Sequence, residues 1–170
     1  MIVVADASPL IFLAKIRQLE LIPRLFPGKL LVPTAVRDEL LARPLRPDEE
    51  NLLGAFLQNC TVVRVAKPRS FAAAMSRADN AALTLAIRKN ADLLLSDDRL
   101  IRRMARIENV RPMGTLGILL SAMKQDRLAP AATRQAVQAL IRSHGFRIRI
   151  DVFEAVLSEI ARFEDPTRRG

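Results

Sequence analysis

The chain has no tryptophan and no tyrosine, and only one cysteine and one histidine. Each scarcity closes a class of function. Modules that read single strands by stacking bases on aromatic platforms need such side chains, and seven Phe are the only aromatics here. A lone Cys60 makes neither an internal disulfide nor a Cys-x-x-Cys metal site, so a reducing, cytoplasmic compartment is expected. A lone His144 makes no His-rich zinc site. Long apolar runs are also missing. The longest stretch without a charge, residues 51–63, has 13 residues, short of the roughly 20 that a spanning helix needs. Residues 1–5 are apolar, but Asp6 follows them and no basic residue precedes them, a poor signal peptide. There is no G-x-G-x-x-G and no P-loop, so a glycine-based phosphate cradle is missing.

Acids are scarce relative to bases: 18 against 27, a net charge of +9. Of the bases, 22 are Arg and 5 are Lys. Such a surplus suits phosphate-rich partners, nucleic acid first and anionic membrane second. A bare Arg-rich composition is the plainer alternative. The surplus is uneven, at +3 over residues 1–85 and +6 over residues 86–170.

What is present is enough for one folded domain. The 170 residues are half hydrophobic, and chains of this size bury roughly 70% of their unfolded surface. Short β-branched or apolar runs predict strands over 2–5, 30–33, 61–65, 91–96 and 110–113. Helical spacing predicts helices over 8–18, 35–42, from about 47, 76–90, 100–107, 115–124 and 131–144. Thr34 is the expected N-cap of the second and Gly145 the expected C-cap of the last. Residues 146–150 alternate apolar and Arg, an extended pattern. Asp151 and Glu154 suggest a capping box for a final helix to about 163. Strands separated by helices imply a mostly parallel sheet with helices on both faces. Ligands of such sheets bind beyond the carboxyl ends of the strands.

Acids gather at that edge. Asp6 lies just past the first strand, and Asp97 and Asp98 lie just past the fourth. Like charges delivered to one rim repel, and a bound cation is the usual remedy. Carboxylate oxygens suit Mg2+ or Mn2+. Glu39 sits beside the buried stripe of its helix, whereas Asp38 is turned toward solvent. Asp79 heads the apolar face of its helix, although Ser76-x-x-Asp79 is equally a capping box. Arg99, Arg102, Arg103 and Arg106 follow the acidic edge and could neutralise phosphates. Gly114-Thr115 opens a helix, so the Thr115 N–H could hold a phosphate, with plain capping as the alternative.

V-A-D-A-S-P-L, V-P-T-A-V-R-D-E-L, an acid heading an alanine-rich helix, A-D-L-L-L-S-D-D-R and G-T-L-G together resemble a PIN domain. The pattern is most similar to the prokaryotic branch of VapC-type toxins, from about residue 2 to 120, and the closing helices with G-F-R-I also look like it. The resemblance implies a three-layer α/β/α sandwich around a mostly parallel, roughly five-stranded sheet with extra C-terminal helices. It implies one domain over 1–163, with its core over 1–125, a helical extension over 126–163 and a flexible tail over 164–170. It implies a Mg2+- or Mn2+-dependent ribonuclease acting on RNA. The family's acids fall on Asp6, Glu39, Asp79 and Asp97, with Asp98 assisting or replacing Asp97. Asp6 and Asp97 would be the central metal ligands. Ser8 and Ser96 would orient water or a ligand carboxylate. A toxin role, a small antitoxin partner and a homodimer also follow from the resemblance alone. The third acid departs from the pattern. It is Asp79 where relatives usually carry Glu beside a Gly; Arg77-Ala78 stands in that place, and Ala81 replaces a further acid. Two other readings stay open: a non-catalytic nucleic-acid-binding protein on the same scaffold, and a Rossmann-like small-molecule binder.

Overall fold

The computed structural model describes residues 1–164. Five parallel strands form one sheet in the order β3-β2-β1-β4-β5, sandwiched between helices. The strands are β1 (Ile2–Ala5), β2 (Lys29–Pro33), β3 (Thr61–Val63), β4 (Leu93–Leu95) and β5 (Pro112–Met113). β1 and β4 are central, flanked on both sides, and both are almost wholly apolar and buried. Buried parallel strands read as continuous apolar runs for this reason. Pro112 has no N–H to give a ladder, and it stands in the edge strand, where that loss is tolerated.

The helices are α1 (Ala7–Lys15), α2 (Leu21–Leu25), α3 (Thr34–Ala42), α4 (Pro47–Gln58), α5 (Arg77–Arg88), α6 (Arg99–Ile107), α7 (Thr115–Lys124), α8 (Pro130–Ser143) and α9 (Ile150–Glu164). α5 packs on β1, β2 and β4, whereas α7 packs on α1, α2, α8 and α9. α8 and α9 join the core through Val137, Leu140, Val156 and Ile160, all nearly inaccessible. Among the described residues, no helix is long and apolar enough to cross a membrane.

Several expected boundaries move, each for a physical reason. β3 stops at Val63 rather than 65, because its pairing with β2 ends at Pro33. Thr34 is not the N-cap of α3. Pro33 occupies that position in extended conformation with no side-chain cap, and Thr34 is already helical. Residues 146–149 form no strand. Phe146 instead meets Phe12 edge to face, with centroids 4.8 Å apart. α9 starts at Ile150, so Asp151 lies inside it, held by Arg149 at 2.8 Å instead of capping. Glu164, placed in the tail by sequence, closes α9 and pairs with Arg134 at 2.7 Å; residues 165–170 of that tail lie outside the described residues.

The connector ahead of α5 is fastened by polar side chains. Buried Asn80 accepts from the Phe71 N–H at 3.0 Å and donates to the Met75 and Ser76 carbonyls at 3.1 and 2.9 Å. Thr84 Oγ1 accepts from the Arg69 N–H at 2.9 Å. Removing a buried side chain strands its partners. Asn80→Ala should therefore lower stability by about 2 kcal/mol in urea denaturation, with the loss concentrated in protease sensitivity around residues 69–76.

Candidate functional site

The sheet order changes direction between β1 and β4, since β2 and β3 lie on one side of β1 and β4 and β5 on the other. Such a switch point opens a crevice at the carboxyl ends of the strands. The β1–β4 register pairs Ala5 with Leu95, so the next residues, Asp6 and Ser96, stand side by side. The Asp6 N–H donates to the Leu95 carbonyl at 2.9 Å. Ser96, wholly buried, donates its hydroxyl to Asp6 Oδ2 at 3.0 Å and accepts from the Asp98 N–H at 3.2 Å. Ser8 lies between the two acidic turns. It donates to Asp6 Oδ2 at 3.5 Å and accepts from the Asp97 N–H at 3.1 Å. Asp6, Ser8 and Ser96 thus form one network.

Asp6 is 4% exposed. Burial pushes its carboxyl up to about 7, and the charges of Asp79 and Glu39 push the same way, while bonds from the Ala7 N–H and Ser96 pull against them. Asp6 therefore feels the charge of both other carboxylates. Glu39 is half-buried and paired through Oε1 with Arg43 at 2.8 Å. Asp79 forms the capping box its spacing allowed, with Oδ2 accepting from the Ser76 N–H at 2.7 Å. The other oxygen of each, Glu39 Oε2 and Asp79 Oδ1, carries no hydrogen bond among the described residues. Asp38 faces solvent as expected and pairs with Arg37.

Asp97 and Asp98 diverge from Asp6. Asp98 caps α6, its Oδ1 accepting from the N–H groups of Leu100 and Ile101 at 2.7 and 2.9 Å. Asp97 turns toward β5, and Thr115 engages both of its oxygens. Oδ1 accepts from the Thr115 N–H at 2.7 Å and Oδ2 from the Thr115 hydroxyl at 2.6 Å. This corrects the expectation that Thr115 offers a free N–H to a phosphate: both of its donors face Asp97. The physical reason is register, which continues from Leu95↔Met113 to set Asp97 opposite Thr115. Burial raises the Asp97 carboxyl, against the Thr115 bonds and the nearby Arg102 charge.

Among the described residues, no three acidic, histidine or cysteine side chains converge as a ready-made metal cage. The donor chemistry nonetheless fits a hard cation. A desolvated carboxylate with two acidic neighbours is relieved by a divalent ion, and Glu39 and Asp79 each keep an uncommitted oxygen.

Beside Asp97 a cleft of about 990 Å³ runs along the β5 edge between α6, α7 and α9. Arg99, Arg102, Arg103 and Arg106 line it, as does the 146–149 segment with Arg147 and Arg149. Arg149 pairs with Asp151; the side chains of the other five make no ion pair or hydrogen bond among the described residues. Arg147 and Arg149 were missed in the sequence, although the alternation over 146–150 was the available signal. A second cleft of about 450 Å³, on the Glu39 side, holds Arg64 and Arg77, which no sequence pattern had singled out.

The comparisons with known proteins agree with this architecture. In fold the chain is similar to a PilT N-terminus domain protein from the hyperthermophilic archaeon Sulfolobus solfataricus P2, with a TM-score of 0.55 and 18% identity, over 73% of this chain and 95% of that one. No curated protein matches it. The family model described as PIN domain matches residues 2–162, nearly the whole length over which the sheet, the acidic crevice and the closing helices extend, and the chain belongs to the PIN domain family.

Proposed function

We propose that this protein is a divalent-metal-dependent ribonuclease that hydrolyses RNA phosphodiester bonds at the β1–β4 switch point. PIN domains are in general nucleases that use divalent metal ions, and the family assignment supports that class. The observation that carries the reading is Asp6: a carboxylate buried at the crevice, raised to about 7, and sensing Glu39 and Asp79. These three would hold Mg2+ or Mn2+, with Asp98 as a further candidate through its uncapped Oδ2. A bound ion would supply polarisation of the phosphate and an acidified water. Ser96 and Ser8 orient Asp6 by hydrogen bonds to one oxygen. The unpaired arginines of the large cleft neutralise substrate phosphates, with Arg64 and Arg77 doing the same on the Glu39 side.

The test is cleavage of a 5′-labelled single-stranded RNA. Activity should require Mg2+ or Mn2+ and stop with EDTA. Glu39→Gln and Asp79→Asn should each lose roughly 10- to 100-fold in activity or Mn2+ affinity. Binding of RNA without any cutting would favour a non-catalytic nucleic-acid-binding protein, a reading supported by the present engagement of Glu39 with Arg43 and of Asp79 with Ser76. Within the nuclease reading, the VapC-like motifs support a toxin restrained by a small antitoxin. The exposed Ile150 and Val152 at the start of α9 support a protein contact there, with an antitoxin or a second copy.

A further inference from the structure

Asp97 is the acid that the family pattern would make a central metal ligand, and its surroundings suit a different task. Successive residues at the end of a strand point to opposite sides. Ser96 therefore faces Asp6, while Asp97 faces the β5–α7 turn. There its two oxygens take both donors of Thr115, at 2.7 and 2.6 Å. A carboxylate at a helix N-terminus is also favoured by the helix dipole, and α7 begins at Thr115. The fit is close. A Cβ on Gly114 would stand 2.7 Å from Asp97 Oδ1 and 3.5 Å from Arg102 Nη1. Gly114 has an ordinary extended backbone, so the position is restricted by room and not by conformation. Arg102 completes the group. Its charge acts on Asp97, and its Nε is buried without a partner.

We propose that Asp97 is a positioning residue that, with Thr115, locks the β5–α7 turn beside Arg102 at the mouth of the arginine-lined cleft, and so sets RNA affinity instead of holding the cation. The proposal rests on the reading that RNA is the substrate. Removing the lock leaves Asp6 and its two acidic neighbours untouched. It frees the turn that lines the cleft beside Arg102, and the cost falls on substrate binding.

Five variants test this: Asp97→Asn, Thr115→Val, Thr115→Ser, the Asp97→Asn/Thr115→Val double and, as the contrast, Asp6→Asn. Three readouts are needed: KM and kcat for RNA cleavage, Mn2+ affinity by calorimetry, and binding of an uncut RNA by anisotropy in EDTA. Asp97→Asn and Thr115→Val should each raise KM and weaken RNA binding by about tenfold. Both should keep kcat and Mn2+ affinity within about twofold. Thr115→Ser, which retains the hydroxyl, should behave as wild type. The Asp97→Asn/Thr115→Val double variant should be no worse than either single, because both act on the same hydroxyl–carboxylate bond and leave the backbone N–H at 115 an acceptor. If Asp97→Asn loses kcat and Mn2+ affinity together, as Asp6→Asn should, Asp97 is a ligand and the proposal is overturned. RNA binding unchanged in Asp97→Asn and Thr115→Val would overturn it equally. If the wild type binds RNA and never cuts it, the nuclease reading fails, while anisotropy still decides the lock.

Discussion

Asp6→Asn should abolish cleavage while making the metal-free protein more stable above neutral pH. The two effects have one origin. In the folded chain the Asp6 carboxyl titrates at about 7, raised first by burial, whereas in the unfolded chain it titrates near the ordinary 3.8. The folded state therefore binds more protons between those values, and stability falls as pH rises through that window. Below about pH 4 the carboxyl is neutral in both states and nothing is lost. Above about pH 7 the whole penalty is present, of the order of a few kcal/mol. Asn keeps the shape and carries no charge, so it removes the penalty. Melting curves in EDTA should show wild type losing stability from pH 5 to 8 and Asp6→Asn staying flatter and melting higher at pH 8. Added Mn2+ should restore the wild type and leave the variant unmoved. Cleavage should fall by about 10³-fold or more, since the group placed to hold the cation is gone. A wild type and variant with the same pH profile would mean that Asp6 is not desolvated as described.

The second large effect belongs to the cleft. Arg99→Ala/Arg103→Ala/Arg106→Ala leaves Arg102 and the Asp97 lock in place and removes three cations that make no ion pair among the described residues. Each phosphate contact on a single strand contributes about 0.7 to the slope of log affinity against log salt. The triple variant should therefore bind single-stranded RNA roughly 100-fold more weakly at moderate salt, with the slope reduced by about 2. Truncating unpaired exposed side chains breaks no internal contact, so the melting temperature should stay within a few degrees. Weakened binding with an unchanged salt slope would assign the loss to a disturbed fold and not to phosphate contacts.

Much of the fold was legible because the pattern is simple. Val3, Val4 and Leu93 to Leu95 are apolar in unbroken runs, as strands covered on both faces must be. Ser76 and Asp79 announced the start of α5, and Gly145, with φ +67, marks the end of α8. The misplaced boundaries are those set by a partner: β3 ends where β2 has nothing left to pair, and 146–149 finds Phe12 instead of a strand. No local pattern contains that information. Arg17 in left-handed conformation (φ 55) and the short α2 after it were equally invisible, because neither depends on a residue type that favours them.

At the crevice the division is similar. The absence of Trp and Tyr, of a second cysteine and of long apolar runs, the arginine surplus, and the delivery of acids to strand ends all belong to composition and spacing, and the sequence alone determined them. It could not decide which acid would be desolvated and which would be braced. Asp6 and Ser96 are 90 residues apart, as are Ile2 and Asp92; only sheet register brings them together. That register, with its period of two, then turns Ser96 toward Asp6 and Asp97 toward Thr115. A carboxylate's charge state and bonding are set by groups within a few ångströms, and here those groups come from segments that only the tertiary structure joins.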